Sequence, residues 1–304
     1  MDGFCKFIVP DFRNMNQERL CDEITGFLKD SSVEFTVRRL SGTFCCIVCE
    51  GGKLGLVPVP ETAFNASGGP SPFSLSGLME QAACRDIAFI YFDRWCSKGT
   101  LIRAGLMARL GRGGRIYARN CEALPVGADT ARAFMDANHL YGSVKAKYNF
   151  GLFRRRSTGD AEAPAGITPR LVAVASFSRP RFFRGEDTLS YEWVRYASLK
   201  GTQVLGGMDK LLKAFIRTAG NGSPFRIVTY ADMEWSSGRA YPMLGFRDEG
   251  LLPEVGFVVD PATMARIHED KLSRDRKYRN MEITGIRICN CGSRRFVMDV
   301  LPGQ

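Results

Sequence analysis

One stretch of the chain, residues 191–250, contains most of the groups that could carry chemistry. Residues 191–198 predict a strand, and a Gly-Gly turn follows directly before a helix whose apolar residues recur at three-to-four-residue spacing. The first N–H groups of a helix have no partner within the helix, and the helix dipole favours negative charge beside them. The turn therefore predicts a cradle for a phosphate group. The turn and the start of the helix comprise Gln203, Val204, Leu205, Gly206, Gly207, Met208 and Asp209.

Two motifs in this stretch resemble those of a known superfamily. The sequence from Gln203 to Met208, QVLGGM, is similar to the Q/R-x-x-G-x-G/A pyrophosphate loop of the GNAT superfamily of N-acetyltransferases, with Met208 where a small residue is usual. The sequence from Tyr241 to Phe246, YPMLGF, resembles the later Tyr-x-x-x-Gly-Phe motif. The motifs occur in the expected order, separated by one predicted helix and one predicted strand. The resemblance implies acetyl-CoA or another acyl-CoA as cofactor, bound through its pyrophosphate by residues 203–209.

The resemblance also implies catalytic roles. In GNAT enzymes an amine attacks the thioester of an acyl-CoA that lies between two central strands, so one group must take the amine proton and another must protonate the departing thiolate. Tyr241 matches the acid position, although it could instead be a packed aromatic. Candidate bases are His139, whose imidazole titrates near neutral pH, and Asp232, which follows an apolar strand; Glu234 is weaker. His139 could instead stabilise a helix C-terminus, and Asp232 could cap a helix beginning near Ser236.

The chain is basic, with 42 Lys and Arg against 32 Asp and Glu and a formal net charge of +10. This balance fits a polyanionic partner, since phosphate contacts supply most of the sequence-independent affinity for nucleic acid, although a basic protein without such a partner is the alternative. Arginine and phenylalanine interleave over residues 176–184, which suits backbone neutralisation together with base stacking. We expect DNA as a partner, with candidate contacts at Arg179, Arg181, Phe182, Arg184 and Trp235.

Residues 1–114 predict a separate α/β module with an early helix, several short strands and a later helix. Residues 93–98 (DRWCSK) and 115–121 (RIYARNC) resemble the very-short-patch-repair-type PD-(D/E)XK nuclease modules of phage homing endonucleases. Phosphodiester hydrolysis at such a site needs two or more carboxylates converging on Mg²⁺. Residues 44–63, where the family would place them, offer only Glu50 and Glu61. We therefore expect a degenerate nuclease module that docks DNA or is purely structural.

Residues 115–304 predict a second domain. Residues 116–124 predict a strand, 129–138 a helix, 148–155 and 171–177 a hairpin, and 254–259 and 283–288 late strands. With the central stretch, the order is strand, helix, hairpin, strand, loop, helix, strand, helix and strand, which is the order of a GNAT domain. The fold class expected is α/β, with a mixed, mostly antiparallel sheet flanked by helices. Residues 138–139, 231–232 and the closing hairpin resemble the GNAT-like domain that accompanies phage homing-type nucleases and, more distantly, the Mom-type DNA modification enzyme.

Composition favours a soluble protein of the bacterial cytoplasm, because the chain has no apolar run of about 18 residues and no signal-like start. Ten cysteines are scattered without framework-like spacing, which indicates a reducing compartment. The clusters around Cys45 and Cys289 could lend zinc ligands, but neither belongs to a pair of C-x-x-C motifs, and no metal site is expected.

Three functional hypotheses follow. The first is an acyl-CoA-dependent acyltransferase, or a related group-transfer enzyme, that modifies an amine on a nucleobase in DNA, as in phage-type hypermodification. The second is a non-catalytic, basic DNA-binding protein derived from a homing-endonuclease-like ancestor. The third is a residual nuclease. Binding of acyl-CoA separates the first from the second, and metal-dependent nicking of plasmid DNA tests the third.

Overall fold

A computed structural model describes residues 15–40, 44–64, 82, 84–155, 170–182, 188–220, 222–275, 278 and 284–302. These residues divide into two compact units, each built from separate stretches of the chain. Unit 1 takes its residues from Met1–Arg85, Phe89–Ser97 and Val255–Asn290, and unit 2 takes its residues from Asp86–Ala88, Lys98–Glu254 and Cys291–Gln304. The units differ from the contiguous split at residue 114, because residues 255–290 group with the N-terminal part and residues 86–88 and 98–114 group with unit 2.

The secondary structure of the described residues comprises helices and short strands. The helices are α1 (Gln17–Asp30), α2 (Phe92–Arg109), α3 (Ala128–Asn138), α4 (Gly207–Ala219), α5 (Ala240–Met243) and α6 (Glu269–Arg274). The strands are β1 (Phe35–Arg39), β2 (Cys45–Cys49), β3 (Leu54–Val59), β4 (Ile87–Tyr91), β5 (Gly114–Tyr117), β6 (Cys121–Pro125), β7 (Tyr148–Arg154), β8 (Leu171–Phe177), β9 (Arg181–Phe182), β10 (Leu189–Ser198), β11 (Thr202–Leu205), β12 (Phe225–Asp232), β13 (Arg247–Leu252), β14 (Gly256–Val259), β15 (Arg266–His268), β16 (Ile286–Cys289) and β17 (Ser293–Val300).

Unit 1 contains a sheet in the order β1-β2-β3-β4 and a smaller sheet in the order β15-β14-β16. Helix α1 begins at a cap in which the side chain of Asn16 accepts a hydrogen bond from the N–H of Arg19. Asp93, which the sequence placed in a nuclease-like segment, is fully buried and forms a two-point ion pair with the guanidinium of Arg266. This carboxylate therefore serves packing within unit 1.

The metal-binding carboxylates of a nuclease are not assembled in the described part of unit 1. Glu50 lies in a 3-10 turn beside Lys53, 3.3 Å away, and Glu61 lies in a separate 3-10 turn. Among all described residues, no group of three or more His, Cys, Asp or Glu is arranged to hold a metal ion. No helix in the described ranges is long and apolar enough to cross a lipid bilayer.

Unit 2 is organised by a large sheet in the order β13-β17-β12-β10-β8-β7-β6, with β9 paired to β10. Neighbouring strands are antiparallel except β10 and β12, which are parallel. Helices α3, α4 and α5 interrupt the strands in the order that the GNAT resemblance implied. The prediction of an α/β fold with a mixed, mostly antiparallel sheet flanked by helices is confirmed.

The core of unit 2 lies between the large sheet and α4. Leu211, Leu212 and Phe215 form the buried stripe that the helical spacing predicted. The ring of Phe177 on β8 stacks on two aromatic rings. The centroid of the Phe215 ring lies 3.9 Å from that of Phe177, and the centroid of the Trp193 ring on β10 lies 5.3 Å from it. This packing fixes α4, and with it the glycine turn that precedes it, against β8 and β10.

Two elements differ from the sequence prediction. The single strand expected over residues 116–124 is two strands, because β5 pairs in parallel with β11 while β6 pairs with β7, and the 3-10 turn Ala118–Asn120 redirects the chain between them. The late strands expected in the second domain, now β14 and β16, pair with each other in unit 1 instead. The chain then returns to unit 2, where β17 pairs with β12 in the large sheet.

Candidate active site

The two parallel strands of the large sheet separate along their length. Their pairing runs from Ser190 opposite Arg226 to Trp193 opposite Thr229 and ends there. Beyond this point β10 bulges and follows β8 to Ser198, whereas β12 follows β17 to Asp232. The two central parallel strands therefore stop pairing at this point, and each continues beside a different neighbour.

The glycine turn before α4 is open and carries no capping side chain. Gly206 is the N-cap residue and adopts a left-handed conformation with φ of 75°. A Cβ at Gly206 would approach only the Cβ of Ala118, at 3.7 Å. Met208, which replaces the small residue of the motif, packs against the core. The first amides of α4 therefore remain available to an anion.

A cavity of about 380 Å³ lies beside this turn and is strongly cationic. Tyr117 and Leu205, both exposed, contribute an apolar wall, and the guanidinium of Arg119 lies 4.8 Å from the centre of the Tyr117 ring. Its charged lining residues are Arg119, Asp209, Lys210, Lys213 and Arg217. Four cations against one carboxylate, next to a helix N-terminus, give this cavity a positive charge that favours anions.

The cations of this cavity differ in how strongly they are already engaged. Lys210 donates to the backbone oxygens of Ala118 and Cys121, and Lys213 pairs with Asp209 at 2.9 Å. The ammonium of Lys210 thus holds the turn between β5 and β6 against α4. Arg217, one turn further along α4, is exposed and lines the cavity.

We expect Arg217→Ala to weaken binding of acetyl-CoA about two- to fivefold, the range of an exposed ionic contact, and to reduce the salt dependence of binding. Titration calorimetry at two salt concentrations measures both effects. Arg132→Ala is the matched control, because Arg132 is an exposed arginine of α3 that pairs with Asp129. Equal effects of the two substitutions would contradict a role of Arg217 in this cavity.

Gly207 lets the start of α4 lie close to β10. A Cβ at Gly207 would lie 2.8 Å from the hydroxyl of Tyr196 and 2.9 Å from Val204. We expect Gly207→Ala to lower the free energy of unfolding by about 1–3 kcal/mol through overpacking. Urea unfolding measures this loss, and Tyr196→Phe should restore part of it by removing the hydroxyl. A fully additive double variant would contradict the contact.

Tyr241 lies at the point where β10 and β12 separate. The hydroxyl of Thr229 is 3.0 Å from the backbone oxygen of Trp193 and 3.3 Å from the phenol oxygen of Tyr241. The backbone carbonyl of Trp193 can only accept, so the hydroxyl of Thr229 donates its single proton to that carbonyl. The phenol of Tyr241 must then donate to the hydroxyl oxygen of Thr229. Burial raises the pKa of Tyr241, so the phenol stays protonated at neutral pH. A protonated phenol at this position can act as an acid.

The structure brings the predicted bases His139 and Asp232 together through Tyr141. The phenol of Tyr141 donates to Asp232 at 2.8 Å, and the backbone N–H of Tyr141 donates to Nδ1 of His139 at 3.1 Å. A neutral His139 therefore has its proton on Nε2 and can gain another only by losing this bond. Asp232 keeps acceptor capacity beside its bonds to Tyr141 and to the N–H of Glu234, whose side chain is buried. The carboxylate of Asp232 thus retains positions at which it could accept a further proton.

The sequence analysis missed Tyr141 and Arg195. Tyr141 connects the two separated strands, since it bonds Asp232 of β12 and its ring lies 5.7 Å from the guanidinium of Arg195 on β10. The Nε of Arg195 is buried without a hydrogen-bond partner, and burial lowers the pKa of Arg195. An arginine within the apolar strand YEWVRYAS was the sequence feature that could have indicated it.

The candidate DNA contacts are dispersed. Arg181 and Phe182 form β9 beside the start of β10, about 10 Å along the strand from its separation point, and Phe182 is 66% exposed. Arg181 pairs with Glu192 at 2.9 Å, and Arg179 is exposed. Trp235 packs instead within unit 2, where a Cβ on Gly105 would lie 2.6 Å from its ring. Arg184 lies outside the described residues.

Comparison with known proteins adds little. No protein-family model matches the chain, and no curated protein matches it. Among solved structures, the chain is similar to a histone acetyltransferase HPA2 and related acetyltransferase from Corynebacterium glutamicum, with 13% sequence identity and a TM-score of 0.34. The match covers 61% of this chain and 98% of that chain. A likeness this weak transfers neither fold nor function.

Proposed function

We propose that the chain is an acyltransferase that moves an acyl group from acyl-CoA to an amine. The observation that carries this proposal is the combination, within unit 2, of the open glycine turn at Gly206 and the buried phenol of Tyr241 at the separation of β10 and β12. The cationic cavity beside the turn supports it, because the donor carries several phosphates.

The residues of unit 2 divide the work of the reaction. A bound acyl-CoA supplies an activated acyl carbon as a thioester. The amides at the start of α4 and the cations around them hold the phosphates. Asp232 takes the proton that the amine loses as its nitrogen bonds the acyl carbon, and Tyr241 donates the proton that the sulfur gains as the carbon–sulfur bond breaks. The proton count balances, since one is taken and one is given.

We further propose that the acceptor amine belongs to a nucleobase in DNA. The net charge of +10 and the exposed Arg179, Arg181 and Phe182 support a nucleic-acid partner. A base inside a duplex must be flipped out to be reached, and an exposed aromatic beside arginines suits that step. Of the two nuclease-like segments, residues 93–97 belong to unit 1 and residues 115–121 to unit 2, and docking of DNA by the N-terminal part is included in the same proposal.

Two measurements test the proposal in sequence. Titration calorimetry with acetyl-CoA tests the donor, and mass spectrometry of nucleosides from DNA incubated with the protein and a panel of acyl-CoAs tests the acceptor. Binding of acetyl-CoA and an acylated nucleoside are the expected results. Salt-sensitive DNA binding without any affinity for acyl-CoA would instead support the non-catalytic DNA-binding protein.

A further inference from the structure

Two cysteines of unit 1 face each other across the contact between a helix and a strand. Cys21 lies on α1 and Cys45 begins β2, and their sulfur atoms are 3.7 Å apart and joined by a hydrogen bond. Both residues are half-buried, so neither is shut off from solvent. A disulfide needs a sulfur–sulfur distance of about 2.0 Å, so the two atoms would have to approach by about 1.7 Å.

The surroundings of Cys45 favour its thiolate. Hydrogen bonding with Cys21 lowers the pKa of Cys45 to about 7, against the effect of burial, and the side-chain amide of Gln17 donates a further hydrogen bond to Cys45 at 3.2 Å. Cys46 and Cys49 lie on the same strand, yet burial raises the pKa of each to about 12. Since the thiolate is the reactive form, the three neighbouring cysteines differ greatly in reactivity near pH 7.

We propose that Cys45 is a peroxide-reactive thiol and that Cys21 is its resolving partner, so that this site forms a reversible disulfide between α1 and β2. The thiolate of Cys45 attacks one oxygen of hydrogen peroxide, and the oxygen–oxygen bond breaks. Hydroxide departs as the leaving group, and Cys45 becomes a sulfenic acid. The sulfur of Cys21 then bonds to that of Cys45, and the sulfenic oxygen leaves as water with the thiol proton. Two sulfurs are oxidised and one peroxide is reduced.

The position of the pair gives this chemistry a structural consequence. Cys45 is the first residue of β2, the strand that lies between β1 and β3, and Cys21 belongs to the helix whose Leu20 and Ile24 are buried in unit 1. A disulfide would therefore tie α1 to the sheet that it packs against. A thiol reductant reverses the change, since the bond lies at a half-buried site.

Peptide mapping of the full chain tests the proposal without any substitution. Arg39 separates the two cysteines, so trypsin releases them on different peptides. After brief treatment with hydrogen peroxide at pH 7, alkylation and digestion, we expect a reducible link between the peptide of residues 20–29 and the peptide of residues 40–53. The second peptide carries Cys45, Cys46 and Cys49, so fragmentation in the mass spectrometer must place the link on Cys45. Absence of this link, or linkage of Cys45 mainly to another cysteine, would overturn the pairing.

A variant then tests the order of the two steps. In Cys21→Ser, we expect dimedone, which traps sulfenic acid, to label Cys45 at least about tenfold more than Cys49, because the resolving thiol is gone. Cys49→Ser is the matched control and should form the link like the unsubstituted chain. Circular dichroism checks the fold of both variants. Equal labelling of Cys45 and Cys49 in the folded variant would overturn the assignment of Cys45 as the reactive thiol.

Discussion

Gly206→Glu is expected to weaken binding of acetyl-CoA at least about 100-fold. The residue has φ of 75°, a conformation that costs about 1–3 kcal/mol for a residue with a side chain. The substitution also places a carboxylate at the N-terminus of α4, where the proposed site holds a diphosphate. Strain and repulsion act together, and each 1.4 kcal/mol corresponds to about tenfold in affinity. Titration calorimetry provides the measurement.

Gly222→Glu is the matched control for this substitution. Gly222 also has a positive φ, of 85°, and a Cβ there would meet no heavy atom within 4 Å among the described residues, its two chain neighbours left aside. The control therefore introduces the same charge and a comparable backbone strain in unit 2, away from the glycine turn. We expect it to bind acetyl-CoA like the unsubstituted chain. If both variants lose binding equally, the turn at Gly206 is not the phosphate site.

Tyr241→Phe is expected to lower kcat for acyl transfer by about 10²–10⁴-fold while leaving affinity for acetyl-CoA nearly unchanged. The phenol is the proposed proton donor, and general acid catalysis typically contributes this factor. The contact between β10 and β12 at this point stays intact, because the hydroxyl of Thr229 still donates to the backbone oxygen of Trp193. Steady-state rates and calorimetry on the same preparation separate kcat from binding.

The pH profile gives this prediction a second readout. Burial raises the pKa of Tyr241, so the phenol remains an acid to a higher pH than an ordinary tyrosine, and the loss of activity from its ionisation should begin only above the usual tyrosine range. Tyr91→Phe is the matched control, since it also removes a buried phenol bond, 3.0 Å to the backbone oxygen of Cys289 in unit 1. Unchanged kcat in Tyr241→Phe would contradict the proposed acid.

Several elements of the fold could be predicted because their patterns are local. The helical stripe of α4, the Gly-Gly turn before it and the strands Leu54–Val59 and Leu171–Phe177 follow from spacing and residue type within short windows. Tyr241 was selected through its motif, and its role as the acid stays a prediction. Each of these features depends on residues that are close together in the sequence, and such local patterns can be recognised in one sequence alone.

The remaining features depend on contacts between distant residues. Tyr141 reaches Asp232 across 91 positions, and the Nε of Arg195 is buried with no hydrogen-bond partner among the described residues. The grouping of β14 and β16 with unit 1 likewise follows from pairing, and an apolar strand pattern does not state its partner. Trp235 shows the same limit, because the sequence does not reveal that Gly105 leaves room for its ring.

A crystal structure of the chain with acetyl-CoA tests the central claim most directly. The account predicts the diphosphate on the amides of residues 206–209, with the sulfur within about 3.5 Å of the phenol oxygen of Tyr241, a hydrogen-bonding distance for sulfur. A diphosphate bound elsewhere, or a sulfur remote from Tyr241, would contradict it.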